Sequence, residues 1–223
     1  EEAIQADGVT EIFTLEKDTQ RLEQGIFSDE YLERINRIPM VNTKIKILQR
    51  LLKNAIDEYR KVNKMKGVDF TDRMNAVVEL YNARRKDKAF ANEVLDDVAE
   101  QLTKLLEELG KDKRSFEELN ISFEEKAFFD ILEALAKKYG FYDEYIEKYG
   151  QEHLLNLAKD IKSIVDDKAK YAAWSAREDI KAELKVNIIL KLAEYKYPPV
   201  TQDEVYKEVL EQAENFRKYS ERS

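Results

Sequence analysis

Apolar residues recur every three or four positions along Ile121–Phe141, which reads ISFEEKAFFDILEALAKKYGF. This spacing puts them on one side of an α-helix and predicts a buried face opposite a solvated one. Ser122 followed by Glu125 is the reciprocal capping pattern that begins a helix, and Gly140 followed by Phe141 is typical of a helix end. The pattern predicts a core helix. The expected inward residues are Ala127, Phe128, Ile131, Leu132, Leu135 and Tyr139, and the expected outward residues are Glu124, Lys126, Asp130, Glu133 and Lys137.

The same periodicity along most of the chain predicts about eight helices, with short helical pieces at 115–118 and 143–148. Gly67 and Gly110 are expected to end two of them. Ser28 is expected to cap the first helix and Ser175 a later one. The eight longer helices are expected at about residues 28–38, 42–65, 69–86, 88–109, 122–139, 151–171, 175–195 and 201–223.

The opening residues, 1–24, show no clear period and predict a short strand or an extended arm. Either this arm packs on a domain outside the sequence, or it is a loop on the surface of the helical part. The sequence starts with Glu1 and Glu2 rather than methionine, and we interpret it as a piece of a longer polypeptide. The expected organisation is a linker or arm over residues 1–27 and a helical domain over residues 28–223.

Composition supports an all-α fold, an irregular multi-helix bundle. Charged residues make up 38% of the chain, and it has only six glycines and three prolines in 223 residues, as expected for amphipathic helices. The net charge of -8 argues against a surface that binds nucleic acid throughout. The sequence has no cysteine and no apolar run long enough to cross a bilayer, so we expect a cytoplasmic setting without a membrane.

No catalytic constellation stands out in the sequence. It lacks a glycine-rich phosphate loop, a dinucleotide fingerprint and a nucleophile elbow. His153 is the only histidine, and no glutamate stands three residues before it as a helical di-metal site requires. We therefore expect this piece to have no catalytic residue, no bound cofactor and no metal.

Basic residues mark one candidate surface. Lys44, Lys46 and Arg50 lie on the polar side of the helix expected at 42–65, and Arg84 and Arg85 end the next helix. Two interpretations stay open: a solvated helix face, or a face that contacts DNA phosphates.

Aromatic residues mark a second candidate surface, at the two ends of the helix expected at 175–195. Trp174 and Arg177 precede or begin it, and Tyr195 and Tyr197 follow beside two prolines. Exposed aromatic and arginine side chains are typical anchors of protein interfaces. The alternative for Trp174 is a ring packed inside a helix corner.

Short segments along nearly the whole chain also have a characteristic order and spacing. They are Ala3-Ile4, Gly8-Val9, Ile12-Phe13, Phe27 to Leu32, Asn42 to Leu52, Tyr81 to Arg84, Ser122 to Asp130, Trp174 with Arg177-Glu178-Asp179 and Ala182, Tyr197-Pro198-Pro199, and Gln212-Ala213-Glu214. In this order they resemble the C-terminal helical domain of the R (HsdR) subunit of type I restriction-modification enzymes.

The resemblance implies a subunit whose nuclease domain and two RecA-like motor domains precede this piece and use ATP and magnesium to translocate and cut DNA. The whole subunit would be an ATP-dependent type I site-specific deoxyribonuclease. The helical domain would dock the motor and nuclease domains of the same chain onto the methyltransferase core of modification (M) and specificity (S) subunits. DNA would be reached through the intact complex. None of the family's nuclease or ATPase motifs falls within these residues. The alternative is a helical module that contacts the DNA backbone beside the motor.

Overall fold

A computed structural model describes residues 25–83, 91–171 and 174–220. These residues form nine α-helices and no strand, which confirms the predicted all-α fold. The arm predicted at residues 1–24 lies outside the described residues. The helices are α1 Asp29–Asn36, α2 Val41–Val62, α3 Lys64–Ala83, α4 Ala91–Glu118, α5 Phe123–Lys138, α6 Tyr142–Tyr149, α7 Gln151–Ala169, α8 Glu178–Glu194 and α9 Gln202–Ser220.

The described part of the chain divides into two compact units. The first contains residues 25–56, 70–83 and 91–112, and the second contains residues 57–69 and the described residues from 113 onward. The predicted boundary between an arm and a helical domain after residue 27 stays a prediction.

The first unit begins with the predicted cap at Ser28, whose hydroxyl accepts a hydrogen bond of 3.2 Å from the Tyr31 backbone N–H. Side chains of α1, α2 and α4 form its apolar interior, and Tyr81 of α3 donates a hydrogen bond of 3.1 Å to the side chain of Asn42. The fully or almost fully buried side chains of this unit include Ile35, Ile45, Leu48, Leu52, Ile56, Leu102, Leu106 and Leu109.

Two predicted helix ends are wrong, because Gly67 and Gly110 lie inside α3 and α4. A Cβ on Gly67 would lie 2.7 Å from the Cα of Arg60, and one on Gly110 would lie 2.7 Å from the ring of Phe27. Both glycines therefore allow another segment to approach the helix closely, a role that sequence spacing does not reveal. The chain breaks instead at Asn63, the single residue between α2 and α3.

The second unit is built around α5, as the sequence predicts. Both hydrogen bonds of the Ser122–Glu125 capping box are present. Gly140 has a φ of 75°, and the Phe141 N–H donates to the Ala136 carbonyl at 3.0 Å, which closes the helix end. Phe128 is fully buried and meets the ring of Phe216 edge to face at 5.9 Å.

Three side chains of α5 differ from the prediction. Tyr139 was expected inside and is exposed, with its hydroxyl donating to Glu204 at 2.6 Å. Lys126 and Asp130 were expected in solvent and are buried as an ion pair. The helical pattern predicts that charged residues face solvent. The prediction fails for Lys126 and Asp130 because the two side chains pair with each other inside the core.

The remaining helices of the second unit pack around α5. Helices α7 and α9 contact α5, and α8 contacts both α7 and α9. The predicted cap at Ser175 is wrong: Ser175 lies in a short 3-10 turn, Trp174–Ala176, and its hydroxyl accepts from Arg217 at 2.9 Å. Helix α8 begins at Glu178. The residue at its N-cap position, Arg177, forms no side-chain capping hydrogen bond.

Candidate docking surface

Two of the four residues predicted as partner anchors are buried. Trp174 and Tyr197 are both part of the hydrophobic core of the second unit. The Tyr197 hydroxyl donates to the Leu132 carbonyl at 2.7 Å, and burial raises the pKa of Tyr197 above its usual range. The expectation that these two rings are exposed is wrong, because the turns at both ends of α8 direct them into the core. For Trp174 the position agrees with the alternative interpretation of a packed helix corner.

The other two predicted anchors remain at the surface. Arg177 is exposed and bonds Asp179, and this hydrogen bond lowers the pKa of the Asp179 carboxyl. Tyr195 is half-buried, and its hydroxyl donates to Asp160 at 3.0 Å. Arg177 and Tyr195 stand at opposite ends of α8, about 25 Å apart along a helix of this length. They do not form one cluster, and their part in an interface stays a prediction.

Around Tyr195 the chain forms an aromatic group that the sequence did not predict. The Tyr195 carbonyl accepts from the Tyr145 hydroxyl at 2.8 Å and lies 3.0 Å from Nε2 of His153. The His153 ring stacks on Tyr149 with centroids 5.3 Å apart. These contacts give His153 a structural role at the end of α8.

The predicted DNA-contact residues occupy different environments. Lys46 and Arg50 are exposed on α2, whereas Lys44 is half-buried and lines a surface cleft of about 450 Å³ in the first unit. The same cleft is lined by Asp96, Glu100 and Glu107, and such carboxylates disfavour a phosphate there. Arg84 and Arg85 lie outside the described residues. A DNA contact through these residues therefore stays a prediction.

Helix α8 carries an exposed apolar face that the sequence analysis missed. Val186 is 55% exposed and Leu190 is 62% exposed. With the exposed residues Ala182 and Ala193 they form one stripe at spacings of four, four and three. We call these four residues the α8 face. On the opposite side of the same helix, Ile180, Leu184, Ile188 and Leu192 are buried.

The signal for the α8 face was present in the sequence. Apolar residues lie on more than one side of α8, and a helix of this kind is expected to be covered on more than one side. The interpretation of this helix was confined to residues near its two ends, so Val186 and Leu190 were left unexplained. An exposed apolar stripe on a helix is typical of an interaction site.

Helix α9 forms hydrogen bonds to the break between α2 and α3. The Lys64 N–H donates to the side-chain oxygen of Gln212 at 2.8 Å, and the Gln212 side-chain nitrogen donates to the Val62 carbonyl at 3.1 Å. Asn215 donates to the carbonyls of Arg60 and Lys61. These bonds from α9 satisfy backbone groups that the break leaves without helical partners.

A buried ion pair continues this polar junction toward α5. The Asn63 amide donates to Asp130 at 2.6 Å, and Lys126 bonds the other carboxylate oxygen of Asp130. The Asn63 side-chain oxygen accepts from the Lys66 N–H at 3.1 Å. We call Asn63, Lys126, Asp130, Gln212 and Asn215 the polar junction. Its hydrogen bonds fix α2, α3, α5 and α9 against one another within the second unit.

The described residues contain neither a candidate metal site nor a helix that could span a membrane. Across 25–83, 91–171 and 174–220 there is no group of three or more histidine, cysteine or carboxylate side chains that could hold a metal ion. Within the same ranges no helix is both long and apolar enough to span a bilayer.

The family model described as type I restriction enzyme HindI endonuclease subunit-like, C-terminal, matches residues 1–219. The chain belongs to this family. The type I restriction enzyme HindI endonuclease subunit of Haemophilus influenzae is 26% identical over 215 residues, which are 96% of this chain and 19% of that protein. A protein of Methanocaldococcus jannaschii, provisionally named type I restriction enzyme MjaIXP endonuclease subunit, is 24% identical over 190 residues, which are 84% of this chain and 17% of that protein. No solved structure matches.

The chain therefore spans about a fifth of the length of these relatives. The resemblance read from the sequence is confirmed as membership of the C-terminal family of type I restriction endonuclease subunits.

Proposed function

We propose that this chain docks the endonuclease subunit of a type I restriction enzyme onto the M and S subunits of its methyltransferase core, through the α8 face. The observation that carries the proposal is the pair Val186 and Leu190, two large apolar side chains more than half exposed on one helix face. Family membership supports an endonuclease-subunit context.

The rest of the proposed subunit supplies the chemistry. Motor and nuclease domains of the same polypeptide would bind ATP and magnesium and act on DNA in the cytoplasm. This chain would contribute position, not catalysis.

The energetic scale of docking through the α8 face is modest but sufficient. Complete burial of a valine or leucine side chain contributes about 1.5 to 3 kcal/mol. Val186 and Leu190 are each about half covered by α8's own surroundings, so a partner gains roughly half of this from each. Removing both is therefore expected to cost about 2 kcal/mol, or about thirtyfold in affinity.

The test uses the intact endonuclease subunit with the double substitution Val186→Ser and Leu190→Ser. Its affinity for the M and S complex is measured by sedimentation velocity, and we expect a loss of about thirtyfold. Leu80→Ser is the matched control, because Leu80 is 51% exposed on α3 in the first unit. Wild-type affinity in a folded double variant would overturn the proposal, as would an equal loss in the Leu80→Ser control.

A further inference from the structure

The exposed charged residues of α8 itself all have one sign. Glu178, Asp179, Glu183 and Glu194 are exposed, and the helical repeat places each within about 80° of Val186 around the axis. The lysines of α8, at 181, 185 and 191, are half-buried and lie about 100° or more from Val186. The apolar stripe is therefore bordered on its own helix by carboxylates alone.

Each of these carboxylates has a cationic partner that lies deeper in the structure. Glu183 is 59% exposed, while Lys168 of α7, which bonds it at 2.5 Å, is 9% exposed. The pairs of Glu178 with Lys181, Asp179 with Arg177 and Glu194 with Lys191 have the same order of exposure. The carboxylate side chain is thus the more exposed member of each of these pairs.

We propose that the α8 face binds an apolar strip bordered by lysine or arginine side chains on the methyltransferase core. This inference rests on the proposed docking function and specifies the chemistry of the partner. The apolar stripe supplies the desolvated centre of the contact, and the four carboxylates supply its charged rim. Opposite charges across such a rim accelerate association and set the orientation of the partners.

The charge pattern argues against the other occupants of this face. A second copy of the chain would bring two acidic rims together, which disfavours self-association at any helix orientation. A nucleic acid or an anionic lipid surface would meet the same repulsion. A protein surface that is apolar at its centre and basic at its rim avoids the charge repulsion that a second copy, a nucleic acid or an anionic lipid would meet.

The test changes the rim and leaves the stripe intact. In the full-length endonuclease subunit, Glu183→Gln with Glu194→Gln removes two rim charges. The matched control, Glu30→Gln with Glu33→Gln, removes two exposed carboxylates of α1 that also pair with cations on their own helix. Association with the M and S complex is measured by stopped flow from about 50 mM to about 500 mM salt, since surface charge effects fade over that range.

We expect the rim variant to associate about three- to tenfold more slowly than wild type at low salt and equally fast at high salt, with the α1 control unchanged. Equal rates of rim variant and wild type at every salt concentration would overturn the inference. If Val186→Ser with Leu190→Ser still abolished assembly, that result would leave the docking function standing with a partner of another chemistry.

Two further outcomes also overturn the inference. Concentration-dependent self-association of the wild-type subunit that the stripe variant abolishes would assign the face to a second copy. A lower melting temperature of the free full-length stripe variant, with unaltered assembly, would assign it to another domain of the same polypeptide.

Discussion

Lys126 and Asp130 form an ion pair one helical turn apart on α5, and both side chains are buried. The Asn63 amide bonds the second oxygen of the same carboxylate. Removing a charge from water is costly, and a buried pair offsets that cost only while both members and their hydrogen bonds are present. The pair therefore makes the second unit sensitive to single substitutions at either position.

The first prediction concerns this sensitivity. Asp130→Asn keeps a hydrogen-bond acceptor for Asn63 but removes the negative charge next to Lys126. We expect it to lower the free energy of unfolding by about 3 to 5 kcal/mol, and adding Lys126→Met should recover part of the loss. Urea unfolding followed by the fluorescence of Trp174, which is buried in the same unit, measures both effects.

The control for the ion pair is Glu100→Gln, which breaks an exposed pair with Lys104 at the same i,i+4 spacing. We expect little change, since exposed pairs are weak. Strictly additive effects of the two α5 substitutions would show that Lys126 and Asp130 do not depend on each other.

The second prediction is that Gly67→Ala destabilises the fold. The new Cβ would lie 2.5 Å from the Cβ of Arg60, so α2 and α3 must separate, at a cost of about 1 to 3 kcal/mol. Alanine offsets up to about 1 kcal/mol of this through its higher helix propensity. Thermal unfolding by circular dichroism should show a lower melting temperature than wild type.

Gly25→Ala is the matched control for this crowding, because nothing lies within 4 Å of a Cβ placed there. Its melting temperature should equal or exceed that of wild type. A Gly67→Ala protein as stable as the control would mean that the backbone approach at Arg60 is looser than described.

The third prediction is a loss of stability at alkaline pH. Burial raises the pKa of Tyr197 and of Tyr145 above the usual value of about 10. A group whose pKa is raised on folding stabilises the folded state fully below its unfolded pKa, and this contribution is lost as the pH rises above it. The free energy of unfolding should therefore begin to fall above about pH 10.

Tyr197→Phe separates this effect from the general increase in negative charge. The variant lacks the hydrogen bond to Leu132, so it should be less stable by about 1 kcal/mol at neutral pH. Its stability should nevertheless fall less steeply than that of wild type above about pH 10, as measured by urea unfolding at a series of pH values. Parallel curves for the two proteins would contradict a raised pKa of Tyr197.

Local sequence signals predicted the elements whose stabilising groups are close in sequence. The α5 cap depends on Ser122 and Glu125, three residues apart, and both bonds form as expected. Phe128 is buried on the same helix face as Ile131 and Leu132, the apolar residues three and four positions after it. Such interactions depend little on the rest of the fold.

The wrong predictions involve partners far apart along the chain. Asp130 bonds Asn63, which is 67 residues away, and no local pattern reveals that contact. Gly110 lies inside a helix, where the absence of a side chain leaves room for the ring of Phe27, 83 residues earlier in the chain. Trp174 was expected at an interface, but the core of its own unit accommodates the ring. The α8 face was not predicted, because the interpretation of this helix was confined to residues near its two ends and did not consider Val186 and Leu190.

The polar junction also has a consequence for synthesis on the ribosome. Backbone groups at residues 60–64 bond to Gln212 and Asn215, which follow them by 148 to 155 positions. At translation rates of about 5 to 20 residues per second, these partners emerge roughly 8 to 30 seconds later. During that interval the Lys64 N–H and the carbonyls of Arg60, Lys61 and Val62 lack these α9 partners. The second unit therefore completes this junction only after α9 has been synthesised, and premature termination before α9 leaves the break without its native partners.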